Sequence, residues 1–145
     1  MRIVLQRVLR AAVEVDGEEL ARIGPGLLAL VCVARGDDAE LVRRAAQKVA
    51  GLRLFEDAAG RMNLDLASVG GGILVVSQFT LLADTSRGRR PSFEGAAPGD
   101  LAAPLVELFA ETLRLAGFVV ATGRFAAHMR IELVNDGPVT LVLDL

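Results

Sequence analysis

Apolar and polar residues alternate with a period of two over the first third of the chain, the pattern of strands that bury one face. In "AAVEVDGEELARI", Val13 and Val15 interleave with Glu14 and Asp16, and the Asp-Gly step that follows is a strong short-range hairpin signal. "GPGLLALVCVA" is instead a continuous apolar run bounded by turn residues, as a strand covered on both faces requires. Met1 to Ala34 is therefore expected to hold strands and turns alone.

The period then changes. Leu41, Val42, Ala45, Ala46 and Val49 recur at helical spacing, and Asp37 with Glu40 reads as a capping box, which predicts a helix from about Asp38 to Ala50. "LRLF" returns to strand, "EDAAGRMN" is a turn region, and "GGGILVVSQFTLLAD" reads as a buried strand opened by three glycines. Asp84 to Gly99 has no periodicity, and a loop of that length in a compact domain is usually functional or mobile. A second helix carries Leu101, Leu105, Leu108, Thr112 and Leu115 on one face and ends at Gly117. "FVVAT", "MRIELV" and "VTLVLDL" close the chain as strands, the last two forming a hairpin interrupted by "NDGPVT". Strands followed by a helix occur twice, which suits two similar halves sharing a curved sheet.

Composition narrows the function classes. At 145 residues the chain is one domain, 1–145, and 52% apolar residues are more than its core needs, which points to a buried face between subunits. The longest apolar runs fall far short of the roughly 20 residues that cross a bilayer, and no signal-like segment precedes Arg2, so a cytoplasmic protein is expected. A net charge of −2 argues against a general nucleic-acid coat and leaves room for a local basic patch. One cysteine and one histidine form neither an intrachain disulfide nor a usual zinc site, and Cys32 reads as a core filler. "GGG" at 70–72 precedes a strand and not a helix, so the dinucleotide-binding context fails; no cofactor and no metal are expected.

The usual nucleophilic constellations are nearly absent. Any triad would have to use His128, which reads either as a structural histidine or as a base, and most carboxylates are explained as helix caps or solvated helix faces. Two polar clusters in apolar company remain. Ser77, Gln78 and Thr80 stand at the end of an apolar strand, where they either emerge to solvent or form a satisfied polar group. Gly137-Pro138 sits between two strong strand signals although proline cannot donate to a ladder. That pair is either a plain turn or a backbone fixture presenting carbonyl oxygens to a ligand.

Together the two clusters carry a resemblance. "SQFTL" at 77–81 and "NDGPVT" at 135–140 are similar to the two signature motifs of the D-aminoacyl-tRNA deacylases, homodimeric enzymes that remove D-amino acids wrongly attached to tRNA. The likeness extends over the whole chain, through "MRIVLQRV", "VDGE", "IGPGLL", "LRLFED", "GRMNLDL" and "VVSQFTLLADTSRGRRPSF". It departs at Ala126, Ala127 and His128, where a Gly-Ala-Asp-like run is expected, and at Leu82, where an aromatic is common.

The resemblance implies an α/β fold of curved, mixed, mostly antiparallel β-sheets forming a barrel-like core with two main helices. It also implies a homodimer with active sites at the subunit interface. Gly137-Pro138 would be a cis peptide whose carbonyls project into the partner subunit's site, leaving room for hydrogen on the α-carbon and rejecting an L side chain. Asn135 and Thr140 would brace it. A filter that excludes a side chain cannot exclude glycine, so glycyl-tRNA, and glycine mischarged on alanine tRNA, should also be hydrolysed. Ser77, Gln78, Phe79 and Thr80 would form the catalytic cluster, with backbone N–H groups near Phe79 and Thr80 facing the oxyanion of the tetrahedral intermediate. Thr80 has no dedicated base, and the likeness implies assistance by the substrate's own ribose 2′-hydroxyl instead of a side-chain nucleophile. Phe79 either packs or stacks near the adenine. Arg87, Arg89 and Arg90, with Arg43, Arg44 and Lys48, either meet acceptor-stem phosphates or solvate a loop. Two rivals stand beside the hydrolase: a non-catalytic dimeric RNA-binding module, and a small-ligand-binding oligomer.

Overall fold

The computed structural model describes residues 1–145. Its spine is β1 (Arg2–Val15), which pairs antiparallel with β2 (Glu18–Ile23) through a turn whose Asp16 and Gly17 both have positive φ, the geometry of a type I′ hairpin. Along the same edge, residues 2–8 of β1 pair antiparallel with β3 (Gly26–Cys32). The opposite edge of β1 carries β8 (Arg130–Asp144).

Beyond β3 the sheet turns parallel. The chain leaves β3 through α1 (Ala39–Gly51), crosses a small ribbon of β4 (Phe55–Glu56) and β5 (Met62–Leu64), and returns as β6 (Gly72–Ser77) beside β3. It then leaves through α2 (Gly99–Leu115) and returns as β7 (Val119–Thr122) beside β6. Parallel neighbours need crossovers of this kind, and the helices supply them. β2 approaches β6 and β7 across the open side, so the mixed sheet curls nearly into a barrel.

Two cores follow from the period-two alternation. Leu27, Ala29, Val31, Ile73 and Val75 face the helices and pack on Val42, Ala46, Phe109 and Leu113. Leu28, Leu74 and Val76 face the concave side with Val8, Val13 and Ile23. β3 and β6 are thus covered on both faces, which is why their sequences are continuously apolar.

Several sequence expectations are corrected. The closing hairpin does not form: "MRIELV" and "VTLVLDL" lie in the single strand β8, because 14 residues of β1 offer one long edge to which both segments can pair with Ile131, Leu133, Leu141 and Leu143 toward the cores. β6 stops at Ser77, opposite Val31 near the end of β3, and with no further ladder the chain winds into a 3-10 turn over Phe79–Leu82. "LRLF" yields only the two strand residues of β4. Asp38, not Asp37, caps α1 by accepting from the Leu41 N–H at 2.8 Å; Asp37 instead holds the Met1 ammonium at 2.9 Å and the Ala34 N–H at 2.7 Å.

α2 is rotated by about one residue from the predicted face. Ala102, Phe109, Ala110 and Leu113 are buried, while Leu101 and Leu115 are 59% and 81% exposed. Small Ala102 and Ala110 let the helix lie close to the sheet and α1, which outweighs burying the two terminal leucines. Gly117 and Phe118 donate to the carbonyls of Arg114 and Leu113 and end the helix as a Schellman motif.

One glycine sets the sheet's tightest contact. A Cβ on Gly26 would overlap the Gly72 carbonyl on the neighbouring parallel strand, whereas a Cβ on Gly24 would meet nothing within 4 Å. Gly26→Ala is therefore expected to destabilise the fold by about 3 kcal/mol or more, and Gly24→Ala by no more than about 0.5 kcal/mol. Urea unfolding of the two variants checks this; equal midpoints would show that the strands can separate without loss.

Candidate active site

At the carboxyl ends of the parallel pair β3 and β6 the chain encloses a cavity of about 690 Å³. This is where ligands sit in parallel sheets, because the strands stop there and the crossing loops leave a crevice. Val31, Cys32 and Val33 form its floor, Val76, Ser77 and Gln78 the next wall, Phe93 and Ala96 to Gly99 with Ala102 and Val106 of α2 a third, and Phe125 to Met129 a fourth. Most of the lining is apolar, so the few polar groups inside act in a water-poor space.

Ser77, Gln78 and Phe79 reach this cavity. The Gln78 N–H donates to the Val31 carbonyl at 2.8 Å and completes the β3–β6 ladder. Its side-chain amide donates to the Thr80 hydroxyl at 2.6 Å, so Thr80 is held beside the cavity without lining it. The N–H groups of Phe79 and Thr80 open the 3-10 turn, where helical geometry leaves the first donors without partners inside the turn. Two contacts clamp the turn from behind: the Arg2 guanidinium donates to the Leu81 carbonyl at 3.1 Å, and the Cys32 thiol donates to the Phe79 carbonyl at 3.4 Å. Burial pushes the Cys32 thiol up, so at neutral pH it remains a protonated donor and not a thiolate nucleophile. Cys32 thus belongs to the cavity floor as well as the core.

Phe79 is 57% exposed and meets Phe93 edge-on, with ring centroids 5.1 Å apart at 73°. The two rings form one lip of the opening. His128 lies on the far rim and is exposed; nothing joins it to Thr80 or Ser77 as a base.

The second cluster stands apart. In the β1–β8 ladder Gln6 pairs with Thr140 and Val8 with Asn135, so four residues of β8, 136–139, oppose the single residue Arg7. Asp136 to Val139 therefore loop out of the strand, with a cis peptide between Gly137 and Pro138, both exposed. The Asn135 amide donates to the carbonyls of Arg7 at 2.9 Å and Val139 at 3.2 Å, and the Thr140 hydroxyl donates to Asn135 Oδ1 at 3.4 Å. Gln6 in turn donates to Thr140 at 3.3 Å. None of residues 135–140 lines the cavity. The turn over Phe79–Leu82 is fastened near Arg2, and five residues of strand, about 16 Å, separate Arg2 from Arg7. One chain does not bring the two motifs together.

Arg7 is the residue that sequence reasoning missed. It is 6% exposed, the only charged residue in the molecule buried as a whole, and its guanidinium lies beneath the excursion. Nη1 donates to the Leu54 carbonyl at 2.7 Å, Nε lies 3.0 Å from Asp136 Oδ2 as an ion pair without hydrogen-bond alignment, and Nη2 is 3.9 Å from Glu56. A signal was present: Arg7 continues the inward phase of Ile3 and Leu5.

Arg87, Arg89 and Arg90 are exposed at the tip of a loop closed by an antiparallel bridge between Asp84 and Ser92. Arg43, Arg44 and Lys48 lie on α1, and Arg44 is paired with Glu40 at 2.7 Å. No helix is long and apolar enough to cross a membrane.

Comparison with known proteins gives one consistent picture. The family model described as D-Tyr-tRNA(Tyr) deacylase matches residues 4–144. The D-aminoacyl-tRNA deacylase of Thermomicrobium roseum is 59% identical over 144 residues, covering 99% of this chain and 94% of that protein. That of Anaeromyxobacter dehalogenans is 56% identical, covering 99% and 97%. Among solved structures, the c-Myc DNA Unwinding Element Binding Protein superposes with a TM-score of 0.93 at 35% identity, covering 100% of this chain and 99% of that one. A probable eukaryotic D-amino acid tRNA deacylase shares the fold with a TM-score of 0.85 at 19% identity, covering 99% and 98%.

The buried guanidinium makes a direct test of what holds the 136–139 excursion. Arg7→Met keeps the length and removes the charge, leaving the Leu54 carbonyl without its donor and Asp136 without its cation. A loss of about 1–3 kcal/mol is expected in denaturant unfolding. An unchanged midpoint would show that the excursion is held by its backbone and Asn135 alone.

Proposed function

The chain belongs to the D-Tyr-tRNA(Tyr) deacylase family and is a hydrolase, a D-aminoacyl-tRNA deacylase, and from that premise we propose how its cavity works and what it admits. The 3′-terminal adenosine and its aminoacyl ester enter the cavity, and the N–H groups of Phe79 and Thr80 receive the oxyanion as water adds to the ester carbonyl. What carries this reading is the turn itself: two backbone donors at its open end, fixed by Cys32 and Arg2, beside an apolar cavity where each donor counts for more than it would in water. No side chain in reach can deprotonate Thr80, so the nucleophile is water, assisted by the ribose 2′-hydroxyl of the substrate. Ser77 and Gln78 position; Gln78 does so through the Thr80 hydroxyl.

Selection falls to the excursion at Gly137-Pro138 of a second copy, in a homodimer whose active sites lie at the subunit interface. Two features support this. None of the residues of β8 is buried although the strand belongs to the sheet, so its face is open to a partner. The carbonyls of 137 and 138 lie in an exposed loop braced at both ends, and such a loop can act only on something outside its own chain. Set against the α-carbon, those carbonyls exclude an L side chain and admit a D residue or glycine, including glycine mischarged on alanine tRNA. The enzyme works in the cytoplasm, where charged tRNA is.

Release of amino acid from D-tyrosyl-, L-tyrosyl- and glycyl-tRNA tests the reading. The native protein is expected to clear the D and glycyl esters and spare the L ester. Phe79→Pro removes one donor, and Gln78, with φ −146° and ψ 80°, is already outside the helical region that proline forbids to its predecessor. Relative to Phe79→Ala it should lose about 10²–10³ in kcat. A Cβ at Gly137, with φ +123°, would come 2.8 Å from Val139 and 3.2 Å from the Arg7 guanidinium, so Gly137→Ala should displace the loop and narrow the D-to-L ratio. Survival of all three esters with native protein would sink the deacylase reading in favour of a non-catalytic dimeric RNA-binding module.

A further inference from the structure

We propose that the loop from Asp84 to Ser92 is a clamp for the RNA backbone, in which Arg87, Arg89 and Arg90 hold the phosphates of the strand that leads to the adenosine seated in the cavity. This rests on the deacylase reading and adds to it the surface on which the nucleic acid lies.

Outside this loop nine arginines pair with a carboxylate: Arg2 with Asp144, Arg7 with Asp136, Arg10 with Glu132, Arg22 with Glu19, Arg44 with Glu40, Arg61 with Asp57, Arg114 with Glu107 and Glu111, Arg124 with Asp16 and Arg130 with Glu14; Arg35 and Arg53 donate to uncharged oxygens of Glu94 and Asn63, and Arg43 and Lys48 on α1 pair with no carboxylate. The three loop arginines have no such partner, although the chain as a whole carries a net charge of −2. Of the carboxylates on the same segment, Asp84 accepts from the Ser86 N–H at 2.9 Å, and Glu94 lies beyond the closing bridge. Three adjacent cations left unneutralised on a net acidic protein form a local anion-binding surface.

The loop follows the Phe79–Leu82 turn and returns at Phe93; Phe79 and Phe93 both line the cavity, and the contact between their rings holds the two sides of the loop together. The returning side is fastened to the end of β3: Arg35 Nε donates to the Glu94 carbonyl at 2.6 Å, the Arg35 N–H to Gly95 at 3.0 Å, and the Ala97 N–H to Val33 at 2.9 Å. Arg90 is three residues from Phe93, hence at most about 11 Å along the chain from the lip. A terminal nucleotide inside the cavity would bring the phosphates that precede it past this tip.

The residue types choose between anionic partners. "DTSRGRRPS" holds no large apolar side chain with which to enter a lipid surface, whereas arginine forks match phosphate oxygens and fix an RNA strand without reading its sequence.

The test compares kcat/KM on D-tyrosyl-tRNA with that on D-tyrosyl-adenosine, which has no phosphate, for native protein and a variant carrying Arg87→Ala, Arg89→Ala and Arg90→Ala. The native salt dependence on tRNA should be steeper by about 2 in log–log slope, a further loss of about 20-fold between roughly 50 and 200 mM salt. The ratio of tRNA to adenosine-ester activity should fall by a similar factor in the variant. The corresponding triple lysine variant should restore the slope, because it keeps the charge. Equal losses on both substrates, or an unaltered salt slope, would overturn the clamp. If the native protein hydrolyses neither substrate the deacylase reading falls by itself, and binding of uncharged tRNA then decides: a salt-steep affinity that the alanine variant loses sustains the clamp, and equal binding by both proteins overturns it.

Discussion

The ladder between β1 and β8 sets the register from which the rest of the molecule is placed. It runs along both strands with one main interruption, opposite Arg7, where four residues of β8 face one of β1. On either side the hydrogen bonds fix the phase, so the additional residues can leave only outward, and they leave together as a braced loop. The opposite edge of β1 fixes β3 by the same means, and β3 in turn fixes where β6 ends. A slip by one residue along β1 would send Ile3 and Leu5 to the other face and move the loop away from the guanidinium beneath it.

That guanidinium is an unusual occupant of an inward position. A buried cation is tolerated only where oxygens surround it, and here they are supplied by the Leu54 carbonyl, by Asp136 and more distantly by Glu56. Arg7 therefore couples β4 to the base of the excursion. The cavity at the other end uses the reverse arrangement. It is largely apolar, and the polar side chains that line it are those of Arg35, Ser77, Gln78 and His128. On the proposed reading the ester needs an electrostatic receptor for its oxyanion more than it needs a strong base, and the amides of the turn are that receptor.

Much of this was legible in the sequence. The Asp16-Gly17 hairpin, the doubly covered strands β3 and β6, and both helices followed from period and turn chemistry. The errors lie where tertiary pairing overrides local pattern. Two strand signals separated by Gly-Pro look like a hairpin, and only the length of β1 shows that they share one edge. "QFTLL" is as apolar as a strand, and only the end of its partner β3 explains why it winds into a 3-10 turn. Leu101 and Leu115 extend the apolar stripe of α2 in sequence, yet Ala102 and Ala110 decide its orientation because closeness to the sheet depends on small residues. Arg7 was written plainly in the phase of β1, but the strand reads as an ordinary alternation unless the charge is taken as a statement about what must surround it.

The distance between the two motifs bears on the unit that acts. Within one chain the Phe79–Leu82 turn and the Gly137-Pro138 loop are anchored about 16 Å apart along β1, and Gly137 and Pro138 are exposed. Neither a fold nor a hydrogen-bond network requires a braced, outward loop of that kind, since keeping one of residues 136–139 opposite Arg7 and removing the other three would leave a regular ladder there. Its bracing by Asn135, Thr140 and Arg7 has a physical use only if its position matters to another molecule. On the proposed reading that molecule is a second copy, whose β8 likewise buries none of its residues. Chiral selection and catalysis would then be separate properties of each chain, joined only when two chains meet.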